Sequence, residues 1–168
     1  MKKYLTVFFA ALTLLFCCGC VVAPNGNKPA LGVWWWDGNL SADTYLSFAE
    51  ENGVTEVYYC DDGFNGQSAS FIKNAADRGM KVYWLAGEYQ WLRNDEPMYA
   101  LIDGFVQFQS NSEYRFEGIH LDVEPHQDPD FERDRALLIN SLVSLAYGLS
   151  VEYPDIKFEY DPFGWTMK

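Results

Sequence analysis

Residues Gly118 to Pro125 (Gly-Ile-His-Leu-Asp-Val-Glu-Pro) set an imidazole and two carboxylates at alternate positions of one short stretch. In extended backbone His120, Asp122 and Glu124 project to one side and Ile119, Leu121 and Val123 to the other. Carboxyl groups two residues apart on one face lie within about 7 Å of each other. In a poorly solvated cleft such a pair resists double ionisation, so one member is expected to keep its proton above the ordinary carboxylate range. A carboxylic acid that is protonated near neutrality can give its proton to a leaving oxygen, the central need of glycosidic-bond hydrolysis. Glu124, next to the bend imposed by Pro125, is the expected acid. Asp122, deeper along the strand, is expected to hold Glu124 or a substrate group, with His120 completing a hydrogen-bonded column.

Two other chemistries compete. His120, Asp122, Glu124 and His126 are all ligand types for zinc or a related ion, as a metal-dependent hydrolase would need. The sequence holds two histidines and has neither H-x-H nor H-x-x-x-H spacing, so no metal site is assigned and no cofactor is expected. The second alternative is a non-catalytic, glycan-binding or remnant lipoprotein that keeps the shape of a hydrolase without its full cleft.

The elements that must carry these residues alternate between strand and helix. Leu31 to Trp36, Thr55 to Cys60, Lys81 to Ala86, the stretch at 118–124 and Ile156 to Tyr160 read as strands. Helices are expected after Ser41 as N-cap, from Gln67 to Arg78, from Glu96 to Gln109, and from Asp128-Pro129 onward, where Leu138, Leu142, Leu145 and Leu149 recur at helical spacing. Gly53 and Gly79 close the first two helices just before the next strand. This α/β alternation implies parallel strands joined by right-handed crossovers. A doubly wound sheet and a (β/α)₈ barrel both fit it. No Gly-rich phosphate loop follows the first strand, where Trp34-Trp35-Trp36-Asp37-Gly38-Asn39 stands. A row of His, Asp and Glu on the fourth strand also favours the barrel, whose interior accepts polar groups at its C-terminal rim, whereas a central strand of an open sheet is apolar on both faces. The expected fold is a partial TIM barrel of about the first five strands, in a domain spanning 31–168. A full barrel takes about 250 residues, and the open edges of a partial one call for a missing C-terminal half or a second chain to complete it.

The chain begins with Met1-Lys2-Lys3 and an apolar run from Tyr4 to Phe16, too short to span a bilayer and suited to a secretory signal peptide over 1–19. Cys17-Cys18-Gly19-Cys20 resembles a bacterial lipobox, which implies lipidation of Cys20, a tether over 20–30 and anchorage of an exported protein to the membrane at the cell surface or periplasmic face. The whole chain of 168 residues carries a net charge of −12, and cleavage before Cys20 removes Lys2 and Lys3 and deepens it further. So acidic a domain repels phosphate backbones, and nucleic acid is not an expected partner. After cleavage Cys60 is the one cysteine besides Cys20, expected in the core and not in a disulfide framework.

Aromatic residues are abundant, with 6 Trp, 11 Tyr and 12 Phe. Trp34 and Trp84 are expected in the core. Trp36 and Trp91, near loops, are candidates to stack on sugar faces, and Asp61 and Glu88 to line the same rim. The stretch Phe116-Glu117-Gly118-Ile119-His120-Leu121-Asp122-Val123-Glu124 resembles the fourth-strand signature D-G-x-D-x-D-x-E of family 18 glycoside hydrolases, the chitinase and endo-β-N-acetylglucosaminidase type. Gly118, Asp122 and Glu124 match it; Glu117 and His120 replace its first two aspartates, and Pro125 stands where an aromatic is usual. The resemblance implies a barrel enzyme with a glycan substrate. Glu124 would be its general acid, and Asp122 would support the substrate's own N-acetyl group as nucleophile. Tyr160-Asp161 is similar to a tyrosine–aspartate pair of that family and is carried as a supporting pair.

Overall fold

The computed structural model describes residues 29–36, 40–61 and 63–161. The expected signal peptide over 1–19, Cys20 and most of the expected tether over 20–30 lie outside them. Five strands, β1 (Gly32–Trp35), β2 (Glu56–Cys60), β3 (Lys81–Ala86), β4 (Gly118–Leu121) and β5 (Phe158–Tyr160), form one sheet. Every neighbouring pair is parallel, and the order across the sheet is the order along the chain, β1-β2-β3-β4-β5. Between them run α1 (Ala42–Glu51), α2 (Gly66–Ala76), α3 (Glu96–Asn111) and α4 (Phe131–Glu152). The α/β alternation expected from the sequence is therefore present. Among the described residues no helix is long and apolar enough to cross a membrane.

Sequential order has a consequence for the faces. Right-handed crossovers between successive neighbours all pass on one side of a sheet, whereas a doubly wound sheet reverses its order to bring helices to both. The single core follows that rule. Val57, Val82, Trp84, Ile119, Leu121 and Val123 from the strands meet Leu46, Phe71, Ile102, Phe105, Leu138 and Leu149 from the helices. The alternate residues, among them Trp34, Tyr58, Leu85 and His120, stand outside that cluster on the other face.

Local capping explains the helix starts. Ser41 Oγ accepts from the Thr44 amide at α1, and Asn65 and Ser68 form a reciprocal capping box at α2. The last helix starts later than the Asp128-Pro129 expected from the sequence, at Phe131, with a non-helical Asp134 inside it. The Asp128 carboxylate there binds Arg93 and the Asp130 amide, so the turn it begins is not yet helix. Phe48 is exposed on α1, where Leu46 and Ala49 take the buried side.

Two glycines sit where a side chain has no room. A Cβ on Gly118 would lie 2.3 Å from the Lys157 carbonyl oxygen on the next strand, and one on Gly87 would lie 2.0 Å from that of Asp122. Gly66 has nothing within 4 Å. Gly118→Ala is therefore expected to cost about 1–3 kcal/mol or more by forcing β4 and β5 apart, while Gly66→Ala stays within about 0.5 kcal/mol of the parent. Urea unfolding of the two variants, followed by circular dichroism, reads the difference; equal midpoints would contradict the close approach.

Candidate active site

Strand β4 is buried along its whole length. Its residues Ile119 and Leu121, with Val123 just beyond its end, are fixed in the core, and period-two alternation then leaves His120, and Asp122 directly after the strand, on the opposite face. Register supplies their neighbours. Cys60, Leu85, His120 and Glu159 lie in one row across β2 to β5, and Trp34, Tyr58, Tyr83 and Gly118 in the row before it.

His120 is 4% exposed and stands between two carboxylates from the β5 side. Its Nδ1 is 3.6 Å from Glu159 and its Nε2 3.3 Å from Asp161, yet neither nitrogen makes a hydrogen bond. The Tyr58 ring packs on the imidazole with centroids 4.2 Å apart, and Trp34 meets it edge-on at 6.2 Å. Burial, with Glu159 and Glu56 nearby, pushes the Tyr58 phenol up to about 12, so it is neutral at any physiological pH. Lys157 donates to the Tyr83 hydroxyl and pairs with Glu159 at 2.8 Å, which raises the ammonium above its usual value and keeps it charged.

Asp122, one of the two carboxyls expected to share a proton, is displaced upward. Desolvation is the larger cause, followed by the negative charges of Glu124 and Asp161; together they push it above the usual aspartate range. Glu124 is one-third exposed, accepts a hydrogen bond from the Gln127 side chain, and has His126 Nε2 3.8 Å away. A short 3₁₀ turn, Pro125–Gln127, brings those two donors back toward it.

That turn is held from outside by a clamp that the sequence did not disclose. Arg93 makes a bidentate pair with Asp128, Nε to Oδ2 at 2.6 Å and Nη2 to Oδ1 at 2.8 Å, and reaches Asp134 at 2.9 Å. It follows a second 3₁₀ turn, Tyr89–Leu92, so the loop after β3 is tied to the turn after β4 and the start of α4. The only sequence sign was an arginine in an otherwise acidic loop region, and only the fold shows which aspartates it meets.

The site residues expected from the sequence fall into groups. His120, Asp122, Glu124 and Asp161 come together. Tyr160 does not join Asp161: alternation turns it to the helix side, where its hydroxyl donates to the Ala146 carbonyl at 3.4 Å. Trp91 is 6% exposed in the hydrophobic core, because the 3₁₀ turn folds it inward, and its faces are not open to a sugar. Trp36 is 63% exposed and lines a cavity between α1 and α2. Asp61 accepts from the Gly63 amide through Oδ1 and has a buried Oδ2 with no hydrogen-bond partner, while Glu88 is exposed before the 3₁₀ turn. Trp34, expected in the core, is 43% exposed beside His120, and Cys60 is exposed as well. Among the described residues no group of three or more His, Cys, Asp or Glu side chains is placed to hold a metal ion.

No protein-family model, curated protein or solved structure matches this chain.

The clamp makes a pH prediction. Hydrogen bonds from Arg93 hold Asp128 below the usual aspartate range, and those from Arg133 and Arg93 bring Asp134 down to about 2. Both folded-state values are depressed, so their stabilisation is complete above the unfolded aspartate value near ~4 and is lost as pH falls toward about 2. The melting temperature should therefore drop through that window, and Arg93→Met should flatten the drop. Calorimetry across the acid range checks it; an unchanged acid limb in the variant would remove the clamp from the account.

Proposed function

We propose that this chain is a glycoside-hydrolase-like lipoprotein, exported and lipid-anchored through Cys20, that cleaves a glycosidic bond at the C-terminal end of β4. The proposal includes the finer fold: the sheet is the first part of a (β/α)₈-type barrel, a choice supported by the sequential strand order with helices on one side. One observation carries the functional reading. Asp122 and Glu124 follow directly on β4, flanking the core-facing Val123, and Asp122 is raised by burial and by its carboxylate neighbours Glu124 and Asp161. The resemblance of residues 116–124 to the family 18 signature adds support from the sequence.

In this proposal the pair retains one proton at a pH where a lone aspartate has lost its own. Asp122, deeper and flanked by Asp161, favours the protonated state of the pair. Glu124, one-third exposed at the strand end, passes the proton to the glycosidic oxygen as the bond to the anomeric carbon breaks. The carbonyl oxygen of the substrate's N-acetyl group takes that carbon. A water molecule then opens the resulting ring, and its proton returns to Glu124. The glycan is the partner, and a further stretch of barrel wall, from more of this polypeptide or a second chain, completes the cleft.

Turnover of an aryl N-acetylglucosaminide or a cell-wall glycan tests the reading. Glu124→Gln should lower kcat at least about a hundredfold while leaving substrate binding in place; unchanged turnover would sink the assignment. Because the protonated pair is the active form, turnover should fall as pH rises through the pair's apparent pKa. Asp122→Asn should abolish or displace that limb. The same substitution should raise the melting temperature near neutrality, since a folded-state pKa above the unfolded one means that the ionised carboxylate opposes folding there.

A further inference from the structure

The cavity between α1 and α2 has no part in the proton-transfer site. It lies where β1 and β2 end, bordered by Trp36 and Cys60, and encloses about 550 Å³, within the range of about 300–1,000 Å³ typical of small-ligand sites. Its floor is aromatic and rigid. Trp35 stacks on Tyr59 at 5.2 Å and on Tyr45 at 4.7 Å, and Phe71 packs under both Trp35 and Tyr59. Trp36 stands at the mouth with most of its ring in solvent.

The polar wall comes from α2. Gln67, Ser70 and Asn74 follow one another at helical spacing, so they share a face. Among the described residues the carboxamides of Gln67 and Asn74 make no hydrogen bond, and each offers both donors and an acceptor. Gly66 contributes no side chain, and nothing lies within 4 Å of where its Cβ would stand. No aspartate, glutamate, lysine or arginine is among the described lining residues, in a chain whose net charge is −12. The helix N-termini beside the cavity are already capped by Ser41 and Asn65, so no array of bare amides calls for an anion.

We infer that this cavity binds one neutral sugar ring, its apolar face on Trp36 and its hydroxyls on the Gln67 and Asn74 carboxamides. Open carboxamides paired with an exposed indole suit a ligand that is uncharged, rich in hydroxyl groups and apolar on one face. The assignment concerns binding and does not depend on hydrolysis at Glu124, so each can fail without the other.

Intrinsic tryptophan fluorescence and calorimetric titration of the chain with cellobiose and N,N′-diacetylchitobiose, with glucuronic acid as the anionic control, decide it. Saturable binding of at least one neutral disaccharide is expected. Trp36→Ala should weaken it about tenfold, the size of one lost aromatic contact, and Gln67→Ala with Asn74→Ala should do the same. Ser70→Phe, which fills the cavity from an exposed position, should abolish it, while Glu124→Gln leaves it unchanged. These positions are exposed or half-buried, so the circular dichroism spectrum should stay that of the parent. Absence of neutral-sugar binding, equal affinity in all variants, loss in Glu124→Gln, or preference for glucuronic acid would overturn the assignment.

Discussion

A parallel sheet whose crossovers all pass on one side buries one row of each strand and leaves the other row to the opposite face. Here that constraint governs everything near the candidate site. Ile119, Leu121 and Val123 are locked into the helix-facing core, so His120, Asp122 and the side chains in register with them have no freedom to turn inward. Tyr58 and Tyr83 fill the row before His120, and Glu159 and Asp161 flank it. The polar row is thus a by-product of hydrophobic packing on the other face, and changing a core residue of β4 would displace the carboxyls without touching them.

Much of this was legible because it depends on short-range periodicity. Period-two alternation identified the strand and the core side of Ile119, Leu121 and Val123, although the strand ends at Leu121 and not at 124, and the Leu138, Leu145 and Leu149 spacing identified the buried side of α4. The sequence left two windings of the sheet open, and the observed strand order runs sequentially from β1 to β5. Errors arose where a residue's surroundings come from distant chain. Trp34 belongs to a strand, which favours a core assignment, but its row faces away from the helices. Trp91 sits in what the sequence presents as a loop, and a 3₁₀ turn buries it. Tyr160 was paired with Asp161 on a family resemblance, although adjacent strand residues point to opposite faces.

The Arg93 clamp shows a third kind of information. Its partners Asp128 and Asp134 are separated from it in sequence by a helix and a strand, and no local pattern links them. Physically it joins the loop after β3 to the turn after β4, the two connections nearest the Asp122–Glu124 pair. A bidentate guanidinium–carboxylate pair fixes orientation as well as distance. The backbone that bears Glu124, Gln127 and His126 is therefore anchored at its far end by a group that never faces the site.

The two carboxyls differ in their surroundings by one step along the chain. Asp122 is closed in by Asp161 and Glu124, and its carboxyl is raised by desolvation before charge is counted. Glu124, two residues on, has left the sheet; the Gln127 side chain donates to it and His126 Nε2 stands 3.8 Å away. In the proposed mechanism a proton held by the pair is retained at the buried end and presented at the exposed one. Transfer to a leaving oxygen needs that separation: a single buried acid would hold its proton out of reach, and a single exposed one would lose it to water. Both carboxyls follow β4 within three residues, and the short approach between Gly87 and the Asp122 backbone fixes the position of the buried one.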